Sequence, residues 1–242
     1  MEGNQRVLLV VISLGERPWF CYVKKWIVDY CSGCNYDYKV IQEPLPGLKK
    51  EDFALFRNFG CANKLAISDL FEGYDRIILV DDTCMLSPRL EPLHKLVPRE
   101  SIGCWIEGRR KDKSPTDYLK SHKKLYGLKK MLPREKFYNS GVMVMSYEHK
   151  VIYQDVIKDM PLIIKDERFN DQGYLSLTAY KKAISLHDLG ENYNFVGSKI
   201  RTKLKTDRDF SNVRIAHLTG VFSAAQRFDL AKAFDKYFES FS

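Results

Sequence analysis

From residue 74 the chain reads Tyr74-Asp75-Arg76-Ile77-Ile78-Leu79-Val80-Asp81-Asp82-Thr83, an apolar run that ends in two adjacent carboxylates. Consecutive β-favouring apolar residues read as a strand buried on both faces, and such a strand carries acids only where it emerges. Asp81 and Asp82 therefore mark the carboxyl edge of a strand, the edge at which open α/β sheets bind ligands. Paired carboxylates facing a crevice need a cation, a proton or an amine to offset their repulsion. A divalent metal, Mn2+ or Mg2+, that also carries a phosphorylated ligand meets that need, because hard cations take oxygen from one or two carboxylates and from substrate phosphates. Read blandly, the same acids are a polar turn closing a strand.

The elements that must hold this edge follow from the apolar spacing. Arg6 to Ser13 reads as a first buried strand, and Trp19 to Tyr30 as a helix with apolar residues three and four apart. Tyr36 to Ile41 reads as a second strand, followed by the breakers of Pro44-Leu45-Pro46-Gly47. A helix from about Phe59 to Phe71 then leads to the strand at Arg76 to Val80. This βαβαβ order predicts parallel strands with right-handed crossovers, a nucleotide-binding half. Further on, strands are expected at Ser101 to Glu107 and Gly141 to Ser146, helices at Val151 to Met160 and Asp171 to Ala179, and a late edge strand at Arg214 to Leu218. With no repeat or linker, residues 1–242 read as a single domain with two functional halves, about 1–100, which binds nucleotide, and about 101–242.

Composition narrows the class. At 242 residues, 45% hydrophobic and 29% charged, the chain suits one globular domain. No apolar run approaches the roughly 18 residues that span a bilayer, and Val7 to Ile12 is too short for a signal-peptide core. The reading is a protein of the cytosol, in a viral or bacterial setting if not a cellular one. The cysteines, at 21, 31, 34, 61, 84 and 104, follow no disulfide framework and read as free thiols. Cys31-Ser32-Gly33-Cys34 matches C-x-x-C, yet no second pair completes a zinc site.

Charge is localised. From Arg109 to Lys136 there are eleven Lys and Arg against three Asp and Glu, a net of +8 that equals the whole chain's. The segment reads as a solvated loop or helix face, or as a wall that concentrates anionic ligands. It lacks a base-reading motif for nucleic acid and a wide apolar face for a membrane.

The stretch from Tyr74 to Thr83 resembles the D-x-D strand of the GT-A glycosyltransferases, in particular the glycogenin- and galactosyltransferase-like, family 8-type group. Other stretches fall in that family's order. Asn63-Lys64-Leu65 resembles its donor-contacting basic helix, with Arg57 a second candidate. Tyr138-Asn139-Ser140-Gly141-Val142 resembles its N-[AS]-G-V strand start, and Asn170-Asp171-Gln172 its D-Q helix start. Leu189 to Asn194 resembles L-P-x-x-Y-N, and His217-Leu218-Thr219-Gly220 resembles the closing H-F-x-G.

The resemblance implies a Rossmann-like GT-A fold, with a mostly parallel mixed central sheet flanked by helices, and gives the half at about 101–242 to sugar and acceptor. It implies a hexosyl- or pentosyltransferase that moves a monosaccharide from a nucleoside diphosphate sugar, a UDP-sugar first, to a carbohydrate or glycoprotein acceptor, with retention of configuration. It assigns the metal to Asp81 and His217, with Thr83 or Asp82 in place of the second aspartate of D-x-D. Lys64 and Arg57 would face the phosphates, with Ser13, Asp82, Gly141 and Gly220 on the donor side. Asn139, Asp171 and Gln172 would orient the sugar or acceptor. Taken alone, His217 is a core-edge histidine, Asn139 a turn residue, Asp171 a helix-start acid and Lys64 a solvated lysine. The family's Lys-Pro-Trp after the closing glycine is absent, which leaves Arg227 or the basic segment to meet the diphosphate.

Two rival readings remain at this level. A sugar nucleotidyltransferase would carry a glycine-rich basic loop after the first strand, where Ser13 to Pro18 holds only Gly15. A non-catalytic anion or nucleic-acid binder would use the basic segment and show salt-sensitive affinity.

Overall fold

The computed structural model describes residues 5–45, 59–109, 114–166, 170–206, 209–220 and 222–241. A six-stranded sheet runs in the order β2-β1-β3-β6-β5-β7. Its strands are β1 (Val7–Ile12), β2 (Asp37–Ile41), β3 (Arg76–Asp81), β5 (Ser101–Trp105), β6 (Asn139–Ser146) and β7 (Ser185–Asp188). β6 is antiparallel to both neighbours, and the other pairings are parallel. That arrangement matches the expected mixed, mostly parallel sheet. Because β6 alone is reversed, its first residue, Asn139, lies at the same edge as the last residues of β1, β3 and β5.

Alternation along the central strands divides the core in two. Val7, Leu9 and Val11 of β1, Ile78 and Val80 of β3, and Val142 and Val144 of β6 face one layer. Leu8, Val10, Ile12, Ile77, Leu79, Met143 and Met145 face the other. A period of two with both faces covered explains why these strands read as continuous apolar runs. The first layer holds α1 (Phe20–Cys34), α7 (Gly197–Thr206) and α8 (Ala224–Glu239). The second holds α2 (Phe59–Leu65), α5 (Val156–Ile164) and α6 (Asn170–Lys181).

Two expectations are corrected. The helix expected through Phe71 ends at Leu65, and a separate 3-10 turn covers Ser68–Phe71. Between them the chain turns so that Leu65, Ile67 and Phe71 all bury, whereas in one straight helix Leu65 and Ile67, two residues apart, would face opposite sides. The strand near Arg214 is β9 (Ile215–His217), and it is central rather than an edge, between β4 (Cys84–Leu86) and β8 (Phe195–Val196) in a second, three-stranded sheet. Its partners are too short to carry a period that a sequence reading can detect. The basic segment contains α4 (Ser114–Leu125), whose Tyr118, Leu119 and His122 are buried while Lys120, Lys123 and Lys124 are exposed. No helix among the described residues is long and apolar enough to cross a membrane.

Candidate active site

Asp81 is the last residue of β3, in register with Ile12 of β1. Two residues later the chain turns into β4, where Cys84 pairs with His217 of β9, and Leu218 N–H donates to the Thr83 carbonyl at 2.9 Å. The small sheet thus carries a histidine from late in the chain to the edge of β3. His217 Nε2 stands 3.2 Å from Asp81 Oδ2, and its Nδ1 is 2.7 Å from Asn194 Oδ1, which fixes the ring's orientation. Gly141 is a packing requirement here: a Cβ on it would collide with His217 Cε1 and Nδ1 and crowd Asn139 Oδ1.

Lys64, in the last turn of α2, buries its ammonium between two carboxylates. Nζ lies 2.5 Å from Asp81 Oδ1 and 3.3 Å from Asp171 Oδ2. Burial works against the charged amine, but Asp171 and Asp81 outweigh it and hold Lys64 well above its usual pKa. For Asp81 burial pushes the pKa up, while Lys64 and His217 push harder the other way and hold it below the usual carboxylate value. Asp171 also accepts from Ser140 Oγ at 2.7 Å.

A hydrogen-bonded amide wall adjoins this triad. Asn139 Nδ2 donates to Glu107 Oε2 and Gln172 Oε1, both at 3.2 Å, and Gln172 Nε2 donates to Glu107 Oε2 at 2.9 Å. Asn194 Nδ2 donates to Asn139 Oδ1 at 2.8 Å, which joins the wall to His217. The wall comes from the ends of β5 and β6 and the first turn of α6. α4 supports that turn from behind: Tyr118 Oη donates to Asp166 at 2.5 Å, and a Cβ on Gly173 would strike both groups.

Asp82 has a different setting. Its carboxylate accepts from Arg17 Nε at 2.9 Å and its carbonyl from Trp19 Nε1 at 2.9 Å. Burial and then the charge on Asp81 raise its pKa, with Arg17 opposing.

Of the residues singled out by sequence, Asp81, His217, Lys64, Asp171, Asn139, Gln172 and Gly141 converge. Ser13 follows β1 beside them and gives its N–H to Ile41. Thr83 is buried, and Gly220 sits at a positive φ of 84° just past Thr219. Arg57 lies outside the described residues. Glu107, Ser140, Asn194, Arg17 and Trp19 are additions. Glu107 shares the signal of Asp81, an acid closing an apolar strand. Ser140 and Asn194 sit inside the segments that the sequence marks.

The donor atoms fit a divalent cation. His217 Nε2 is buried without a hydrogen bond and faces Asp81 Oδ2 at 3.2 Å, while the Lys64 ammonium engages Asp81 Oδ1 at 2.5 Å. Among the described residues no group of three or more His, Cys, Asp or Glu side chains converges on a metal position. A cation at Asp81 and His217 would therefore take its remaining ligands from substrate oxygens and water.

The sheet order, the reversed β6 and the acid closing β3 make up a Rossmann-like GT-A fold. No protein-family model matches the chain, and no curated protein matches it by sequence. Solved structures do match in fold. The galactosyltransferase LgtC, solved with donor and acceptor sugar analogues, aligns at 16% identity and a TM-score of 0.60 over 93% of this chain and 95% of its own. A glycosyltransferase involved in glycosylating the major capsid of PBCV-1 aligns at 12% identity and 0.55, over 94% and 99%. GlyE of Streptococcus pneumoniae TIGR4, also a glycosyltransferase, aligns at 12% and 0.53, over 98% of this chain and 64% of its own.

Proposed function

We propose that this chain is a metal-dependent glycosyltransferase that moves a monosaccharide from a nucleoside diphosphate sugar, a UDP-sugar first, to a hydroxyl of a carbohydrate or glycoprotein acceptor. The observation that carries the reading is His217 Nε2, buried without a hydrogen bond 3.2 Å from Asp81 Oδ2 and beside a polar wall at the ligand edge of a GT-A fold. Asp81 and His217 would hold Mn2+ or Mg2+, an ion that would supply positive charge to offset that growing on a diphosphate as its bond to the sugar breaks.

The chain's own groups do the rest. Asn194 keeps His217 turned toward Asp81. Lys64, engaged by Asp81 and Asp171, holds both carboxylates in place and adds a fixed positive charge in a buried setting, where charges act strongly. Asn139, Gln172 and Glu107 offer donors and acceptors held by one another, the arrangement that orients sugar hydroxyls and rejects ligands lacking them. Transfer is assigned retention on the resemblance, and NMR of the first-formed product reads its anomeric configuration. The six free cysteines suit action in the reducing cytosol.

A thermal-shift panel of nucleoside diphosphates and their sugars, with and without Mn2+, tests the assignment. At a hundred times Kd, a ligand of the folded state adds about 2.7 kcal/mol, or roughly 5–10 °C for a chain of this size. UDP and a UDP-sugar should give that shift only with Mn2+, and Asp81→Asn should lose it. No shift with any nucleotide, or a full metal-dependent shift in Asp81→Asn, would refute the reading.

A further inference from the structure

Arg17 is not alone beside Asp82. The guanidinium carbon of Arg227, in the first turn of α8, lies 5.3 Å from the centroid of the Trp19 ring, and that of Arg17 lies 5.7 Å from the same ring. Trp19 in turn holds the Asp82 backbone carbonyl. Two guanidinium groups are thus gathered around one indole with a single carboxylate between them, and the cluster keeps one positive charge in excess.

Arg227 is the member left short. Its Nε is buried and has no hydrogen-bond partner. Burial pulls its pKa below the usual value, Asp82 raises it and Arg17 lowers it further. Arg227 as a whole is half-buried, and a guanidinium whose inner N–H is shielded and left without an acceptor favours an anion beside it. The α8 terminus adds to this demand, since the helix is 16 residues long and its first turn carries no acid. Lys64, the cation in contact with Asp81, is already committed to two carboxylates. The uncompensated charge next to Asp81 therefore lies on the Asp82 side.

Resting on the glycosyltransferase reading above, we propose that Arg17 and Arg227 form an anion clamp around Trp19 for the diphosphate of the donor, with Asp82 as the counter-ion that the diphosphate displaces. Asp82 then competes with the ligand for Arg17 instead of holding metal. Guanidinium groups suit the task because they present several donors in a rigid plane to phosphate oxygens and stack on aromatic faces.

Calorimetric titration of UDP, UMP, uridine and inorganic pyrophosphate, each with Mn2+, tests the clamp in wild type and in Arg227→Ala, Arg227→Lys and Asp82→Asn. Arg227→Ala should weaken UDP about tenfold or more, weaken UMP less and leave uridine unchanged. Arg227→Lys should restore only part of the loss, and it carries the test with Asp82→Asn if the alanine variant does not fold. Asp82→Asn should tighten UDP several-fold, because the competing carboxylate is gone. The clamp is overturned if Arg227→Ala and Arg227→Lys bind UDP as wild type does, or if Asp82→Asn weakens UDP together with its Mn2+ dependence. Pyrophosphate binding that needs Arg227, with no nucleotide binding at all, would uphold the clamp and sink the glycosyltransferase reading. UDP binding indifferent to Arg227 would do the reverse, and a wild type that binds neither would end both.

Discussion

Asp81 and Asp82 are chemically identical neighbours with opposite surroundings. Asp81 faces into the sheet edge, against Lys64 at 2.5 Å and His217 at 3.2 Å, and its pKa is held down. Asp82 turns to the other side of the chain, against Arg17 at 2.9 Å, and its pKa is raised. Alternation at a strand end sends successive side chains to opposite faces, so an adjacent acid is poorly placed to share its neighbour's ligand. The lesson is that spacing decides the work a carboxylate can do. A pair two apart would face the same way, whereas this pair divides into a metal-type ligand and a partner for arginine.

The widest gap between the two should appear in activity. Asp81→Asn is expected to lower kcat/KM on the order of a thousandfold, because under the proposed function the ion it would hold supplies several kcal/mol of charge stabilisation. Asp82→Asn should cost far less, and equal losses in steady-state assays would erase the distinction. Next in size is Lys64→Met. It leaves the buried Asp171 and the half-buried Asp81 without their cation, and breaking a buried ion pair by removing one partner costs about 3–5 kcal/mol. Denaturant unfolding reads this loss. A variant as stable as wild type would mean that Lys64 is not the group that holds Asp81 in place.

Gly141→Ala strikes the Asp81 side from another direction. The new methyl group meets His217 and Asn139, and overpacking of this kind costs about 1–3 kcal/mol. The more telling readout is metal: the Mn2+ concentration giving half the nucleotide-dependent thermal shift should rise about tenfold, as when groups that orient a ligand are disturbed. An unchanged Mn2+ dependence would remove His217 from the metal.

How much of this contrast can be read in one dimension follows from chain length and contact range. β1, β3 and β6 are legible because both faces are buried, and the acid that ends β3 stands out against that apolar run. β4 and β8 are three and two residues long, so no period exists to find, yet they set His217 beside Asp81. α8, where no helix was expected, carries signals as plain as those of α1: a Ser223 cap bonded to Gln226, and Ala231, Phe234 and Phe238 at helical spacing. The basic segment shows its charge and the helical spacing of Tyr118, His122 and Tyr126, while what that aromatic face packs against, Gly173 among it, depends on partners far along the chain. Glu107 needs the same reasoning as Asp81, but the Gly103 and Trp105 of its strand blur the apolar run. The orientation of Asp82 is the least legible feature, for it depends on Arg17 and Trp19 in a loop more than sixty residues earlier.

The smallest expected effect tests that loop. Trp19→Phe removes the donor to the Asp82 carbonyl, a bond worth about 0.5–1.5 kcal/mol, and leaves some indole volume unfilled. A total loss of about 1–2 kcal/mol should lower Tm by roughly 2–8 °C. Since the bond lies on the Asp82 side, the ratio of UDP affinity with and without Mn2+ should stay at the wild-type value even where the affinity itself falls. If that ratio collapses as it does in Asp81→Asn, the two carboxylates act on one ion, and the division drawn from their separate partners fails at the residue where it is easiest to disturb.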